Sequence, residues 1–236
     1  MLSPIRRPAV PLTSPKTVPV AKHIKVISPP AGYPVTLDEA KAFLRVTWAT
    51  EDALIDGLIE AATDQIERYI RRALINRTYT QTTDTFFGNR ELPDWEGVVQ
   101  MPIAAFSTGV IELWYPPLVS VEEVRGIAED GTPTVFPSTN YIVDMSTPDI
   151  YGRLALQPGA ALPADLRYVN SMEVDYIAGY GANPEDVPQS IRQGILRLIN
   201  YLYNNRGDCS SDGGDPISAS GAEGFVNRYR VERMRN

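Results

Sequence analysis

Residues 50–75 read TEDALIDGLIEAATDQIERYIRRALI. Leu54, Leu58, Ala62, Ile66, Tyr69 and Ala73 recur every three or four residues, and Ile55, Ile59 and Ile70 widen that stripe. This spacing predicts one helix over 51–75, buried on two sides, and it is the strongest periodic signal in the chain. Thr50 can cap its first turn, and Glu51 and Asp52 stand at the positive end of its dipole. The remaining face carries Glu60, Asp64, Glu67, Arg68, Arg71 and Arg72, acid early and base late, as the dipole favours. Asn76 is a plausible stop.

Upstream, Thr36-Leu-Asp-Glu39 is a capping box, which predicts a short helix over 37–45 with Leu37, Ala40, Phe43 and Leu44 turned inward. Before it, Pro4, Pro8, Pro11, Pro15, Pro19, Pro29, Pro30 and Pro34 prevent helix and favour an extended, polyproline-like arm over 1–34. Residues 18–27 could add one strand. The arm reads either as a loose terminus or as a segment that orders on a neighbour.

Downstream, the texture turns to β. Residues 78–87 are rich in β-branched and aromatic side chains. Further strands are expected at 98–103, 109–115, 119–127, 132–136, 141–145, 153–156 and 168–177, with a turn-like stretch at 92–97. Glu129-Asp-Gly131 provides a hairpin turn. Prolines 102, 116 and 117 confine the first of these strands to edges or ends. The β-rich segment 78–178 therefore predicts a small antiparallel sheet or barrel. After Gly179-Tyr-Gly181, Asp186-Val-Pro188 opens a helix over 188–205, with Ile191, Ile195, Leu198, Ile199 and Leu202 as its stripe. Gly194 within it costs about 1 kcal/mol against Ala, which implies close packing there. The fold class expected is α+β: one domain over 35–206, with an N-terminal helix pair and a C-terminal helix packed on a small antiparallel β module, flanked by extended arms.

Residues 207–224, GDCSSDGGDPISASGAEG, have the composition of a flexible linker. The following stretch, Phe225, Val226, Asn227, Arg228, Tyr229, Arg230 and Val231, mixes aromatic, apolar and basic side chains. It reads either as a disordered basic tail or as a docking segment, since such residues are enriched at protein interfaces. A tethered anchor of this kind gains effective concentration from its linker.

Bulk properties restrict the chemistry. One cysteine, Cys209, and one histidine, His23, stand far apart in the 236-residue chain. Neither a His-based triad nor a Cys/His zinc site is expected. Asp144, Asp149, Glu122, Glu123 and Asp175 could in principle pair for sugar hydrolysis, but no spacing selects a pair. Asp212 and Asp215 lack the twelve-residue calcium-loop pattern. No catalytic, cofactor or metal residues are assigned. A net charge of −7 argues against a protein whose main task is gripping phosphates, while allowing DNA to pass without sticking. No apolar run is long enough to cross a bilayer, and no apolar core follows the early arginines to suggest a signal peptide.

The order of elements resembles the head–tail connector (adaptor) family of long-tailed phages, the gp6-like and phiE125 gp8-like group. Residues 34–46 with 51–62 look like its opening helix pair. Residues 117–124 with Asp130, Gly131 and 140–143 look like its central hairpin. Residues 174–181 with Val187, Pro188 and 202–206 look like its sheet-to-helix passage, and 224–230 like its closing tail. Each motif alone is weak; their joint order over 34–231 carries the likeness. The long arm and the residues around 88–108 depart from the pattern.

The resemblance implies a non-enzymatic ring, usually of twelve subunits, in the virion neck. It would sit under the portal, pass double-stranded DNA through its lumen without reading sequence, and meet a stopper or tail-completion protein below. It would be assembled in the bacterial host cytoplasm, with no cofactor and no membrane contact. Phe225, Val226, Arg228, Tyr229, Arg230 and Val231 are the expected portal-docking tail. Glu60, Asp64, Glu67, Arg68, Arg71 and Arg72 are expected on a ring interface or facing the channel. A stopper or tail terminator is the alternative reading, and a carboxylate-based hydrolase the distant one.

Overall fold

The computed structural model describes residues 22–83, 110–146, 150–160, 165–167, 169–206 and 215–231. The expected strand at 98–103 and turn at 92–97 lie outside these residues, as does Cys209.

The capping box forms as the sequence requires. The Glu39 backbone N–H donates to Thr36 Oγ1 (3.3 Å) and the Thr36 N–H to Glu39 Oε2 (3.0 Å), starting α1, Leu37–Leu44. Helix α2, Asp52–Ile70, follows, and α3, Gln189–Asn204, packs against both. Ile55, Ile59, Ala62, Ile66 and Ile70 of α2 meet Ile191, Ile195, Leu198 and Ile199 of α3 in one apolar core.

Helix α2 stops earlier than its sequence period suggests. Arg71 adopts a left-handed conformation (φ 59°), and its N–H donates to the Glu67 carbonyl (2.8 Å). The Glu67 side chain then accepts the Leu74 backbone N–H (2.9 Å), and 71–75 leave the helix. The helix is also buried on one side only: Leu54 is 39% exposed.

The described strands form two antiparallel sheets where a single sheet or barrel was expected. The larger has the order β1 (Lys22–Val26), β2 (Arg77–Thr83), β8 (Met172–Ala178), β4 (Leu118–Ile127), β5 (Pro133–Val135). The smaller is β3 (Val110–Leu113), β7 (Gly152–Leu156), β6 (Tyr141–Asp144). Pro116 and Pro117 have no N–H to continue a ladder, so β3 ends and the chain changes sheets there. Alternation places Tyr79, Gln81, Met172, Val174 and Tyr176 on the inner face of the larger sheet, against Ile111, Leu113 and Leu154 of the smaller. Gln81 ties the sheets across this second core: its amide donates to the Glu112 carbonyl (2.8 Å) and accepts from the Trp114 N–H (3.1 Å).

The arm contributes its last strand, β1, as an edge of the larger sheet, with His23 opposite Thr82. At the other end, part of the expected linker is ordered. Pro216–Ala219 forms α4 and Glu223–Val226 forms α5, and both pack on α3.

Candidate functional site

Two surfaces of the helical half carry the residues singled out above. The first is α2. Glu60, Asp64, Arg68 and Arg71 are exposed, and Arg68 Nε pairs with Asp64 Oδ1 at 3.0 Å. Glu67 and Arg72 do not belong with them. They are 8% and 3% exposed, because both lie where α2 turns toward the sheet. Arg77 Nη2 donates to both Glu67 oxygens, at 2.6 and 2.8 Å. Burial raises the Glu67 carboxyl, and the Arg77 charge and the Leu74 N–H only partly offset it. Both side chains are therefore internal struts and not part of the exposed face. The exposed face also includes Ala53, Leu54, Asp56, Gly57 and Ala61, with Tyr33 beside it. The Tyr33 phenol is raised by partial burial, then by the negative charge of nearby Glu60.

The second surface is the C-terminal segment. Val226 is wholly buried in the protein's own helical core, and Val231 is 6% exposed. The Val231 N–H donates to the Ile70 carbonyl at the end of α2 (3.0 Å), and Arg72 Nε donates to the Tyr229 carbonyl (2.6 Å). Gly194 makes room for this: a Cβ there would lie 2.6 Å from Val226 Cγ1. The Tyr69 hydroxyl donates to Glu223 (2.9 Å), which also accepts from Ser218 (2.7 Å). These hydroxyls, Ser218 first, hold the Glu223 carboxyl below its usual range. Outward, Arg197 covers Phe225 at 4.6 Å, Arg228 covers Tyr229 at 5.2 Å and Arg230 covers Tyr69 at 4.8 Å. The segment is thus a folded closure of the core with an arginine-rich outer surface. Sequence composition could not show this. The mid-helix glycine was its one local signal.

The carboxylates weighed for hydrolysis are otherwise engaged. Arg125 pairs with Glu123 (2.7 Å), Asp175 (2.7 Å) and Glu173 (3.5 Å). Burial works against the Arg125 charge, but Asp175 and Glu123 outweigh it and hold the guanidinium charged. Asp144 accepts from Ser146 and pairs with Arg153, bringing its pKa down to about 2. Asp215 caps α4 through the Ile217 N–H (3.3 Å), and Asp149 lies outside the described residues.

The segment that builds the α2 surface also matches a family model. Residues 34–93 match the family model of the phage gp6-like head-tail connector protein. Within the described residues that match covers α1, α2 and β2. No curated protein sequence matches the chain. The fold as a whole is shared with solved chains of gene transfer agent (GTA) particles. A chain from the neck of an empty GTA particle, determined with C6 symmetry, has a TM-score of 0.66 and 21% identity, covering 90% of this chain and 97% of that one. A chain from the virion of a native GTA particle has a TM-score of 0.64 and 21% identity, covering 89% and 96%. One from the neck of a native particle, determined with C12 symmetry, has a TM-score of 0.62 and 21% identity, covering 90% and 97%.

Proposed function

We propose that this protein is a head-to-tail adaptor: a structural ring subunit beneath the portal of a tailed phage or gene-transfer particle. The observation that carries the reading is the connector-family match over the opening helices, within a fold shared over 90% of the chain with a GTA neck chain. Cyclic symmetry in those neck structures supports a ring, with twelve subunits as the working number. The ring passes double-stranded DNA through its lumen and holds the next neck protein below. An acidic chain suits that passage, since like charge keeps the duplex from sticking. The exposed face of α2, with Glu60, Asp64, Arg68 and Arg71, is assigned to contact between subunits or to the channel.

The C-terminal surface is assigned to the portal through Arg228 and Arg230, with Phe225, Val226, Tyr229 and Val231 as the structural base beneath them. Deleting 221–236 would be a poor test. It would uncover Val226, Val231 and their partners, and each large apolar side chain contributes about 1.5–3 kcal/mol on burial. The paired substitution Arg228→Glu/Arg230→Glu leaves that packing in place. It should abolish capture of the cognate portal protein in a pull-down while the melting temperature stays within about 2 °C of wild type. Unchanged portal capture refutes the assignment.

A further inference from the structure

The exposed face of α2 has no partner among the described residues except Tyr33 at one margin. Ala53, Gly57 and Ala61 follow one another at four-residue steps, so they share a line along the helix. Their short side chains leave a shallow trough. Asp56, Glu60 and Asp64 border it on one side and Leu54 on the other. The trough is therefore apolar at its floor and acidic along one wall.

The chain itself supplies a segment of matching chemistry. Residues 1–37 contain Arg6, Arg7, Lys16, Lys22 and Lys25 and no Asp or Glu, although the whole protein has a net charge of −7. The remainder is accordingly more acidic than the total. Prolines 4, 8, 11, 15 and 19 favour an extended polyproline form, which lays apolar rings on a surface at low entropic cost. At about 3.1 Å per residue the first 21 residues span roughly 65 Å. A domain of this length has a diameter of about 45 Å. The described chain begins at β1, an edge strand paired with β2 in the sheet. An extended stretch of 21 residues is longer than that diameter. Tyr33, just before α1, lies near enough to Glu60 for that carboxylate to raise its phenol.

We propose that residues 1–21 of one subunit dock along the outer face of α2 of a second copy, joining neighbours around the ring. Arg6, Arg7 and Lys16 meet Asp56, Glu60 and Asp64, and the intervening prolines rest on Ala53, Gly57 and Ala61. This rests on the ring reading above and names the contact that builds it.

A charge-exchange experiment on the full chain tests it, read as the concentration of half-assembly by native mass measurement. Arg6→Glu/Arg7→Glu/Lys16→Glu should raise that concentration about tenfold, and Glu60→Arg/Asp64→Arg should do the same. An equimolar mixture of the two variants should assemble to within about threefold of wild type, because each supplies the surface the other has lost. Circular dichroism should show both variants folded, since every substituted position on α2 is exposed. Arm reversal without effect, or a mixture that assembles no better than its components, overturns the proposal. Arm reversal that abolishes retention on a duplex-DNA column yet leaves assembly unchanged makes the arm a DNA contact and also overturns it. A wild-type chain that stays monomeric at every concentration fails the ring reading itself, an outcome distinct from the others.

Discussion

Removing the Glu67 carboxylate should unravel the joint between the helical and β halves. Glu67 is 8% exposed and Arg77 is its ion-pair partner at 2.6 Å, with the buried Leu74 N–H as a further donor at 2.9 Å. Glu67→Ala strands the Arg77 guanidinium in a site where its side chain is only 14% exposed. Breaking a buried pair from one side costs about 3–5 kcal/mol. The orphaned Leu74 N–H adds a share of the ~1–3 kcal/mol typical of an unsatisfied buried donor, though the two losses overlap. A net loss of about 4 kcal/mol corresponds to a fall in Tm on the order of 10 °C for a domain of this size. Glu67→Gln keeps an acceptor for Leu74 and should lose about half as much. Because burial raises the Glu67 carboxyl more than Arg77 lowers it, the pair as a whole carries a desolvation cost. The double variant Glu67→Leu/Arg77→Met should therefore be more stable than Glu67→Ala, by about 2 kcal/mol or more. Urea unfolding followed by circular dichroism measures all three. A loss below about 1 kcal/mol in Glu67→Ala, or a double variant no better than the single one, would refute the strut assignment.

Gly194→Leu should expel α5, because a side chain there collides with Val226. Trypsin should then cleave after Arg228 and Arg230 in the folded variant at least tenfold faster than in wild type, as expected for a segment that opens locally. Asp144 should titrate at about pH 2 by carboxyl NMR. Ser146→Ala, which removes the main cause, should move it up toward 3.8. A depressed carboxylate stabilises the fold above its ordinary pKa, so this contribution is present above about pH 4 and is lost as pH falls toward 2. Gln81→Leu should destabilise the protein by about 2 kcal/mol in urea unfolding, since the Glu112 carbonyl and the Trp114 N–H both lose a bond.

The sequence was most informative where local chemistry decides the outcome. The Thr36–Glu39 capping box needs no tertiary contact, and α1 begins where it says. Strands β2 and β8 alternate cleanly because one face is core and the other is not. The end of α2 was less legible. Arg71, Arg72, Ala73 and Leu74 continue the helical period, yet Arg71 turns left-handed while the Glu67 carboxylate captures the Leu74 N–H. A helical wheel places Glu67 and Arg72 on the polar face, whereas the turn and the closing tail bury them. The C-terminal segment misled for a related reason. Gly, Ser and Asp describe how freely a chain can move alone, and nothing in them reports that α3 has a notch at Gly194 shaped for Val226. Strand pairing was equally remote: β8 lies central because β2 and β4, far apart in the chain, both pair with it. Of the candidate sites, the exposed acids and arginines of α2 could be read directly, while the division of the tail into buried base and basic surface could not.

The most direct test of the account is electron microscopy of the purified full chain mixed with its cognate portal protein. The account predicts a closed ring, twelve subunits as the working number, seated on one end of the portal, with the outer face of α2 covered by a neighbouring subunit and Arg228 and Arg230 at the portal contact. A monomeric particle, or a ring that leaves the portal unoccupied, would contradict it.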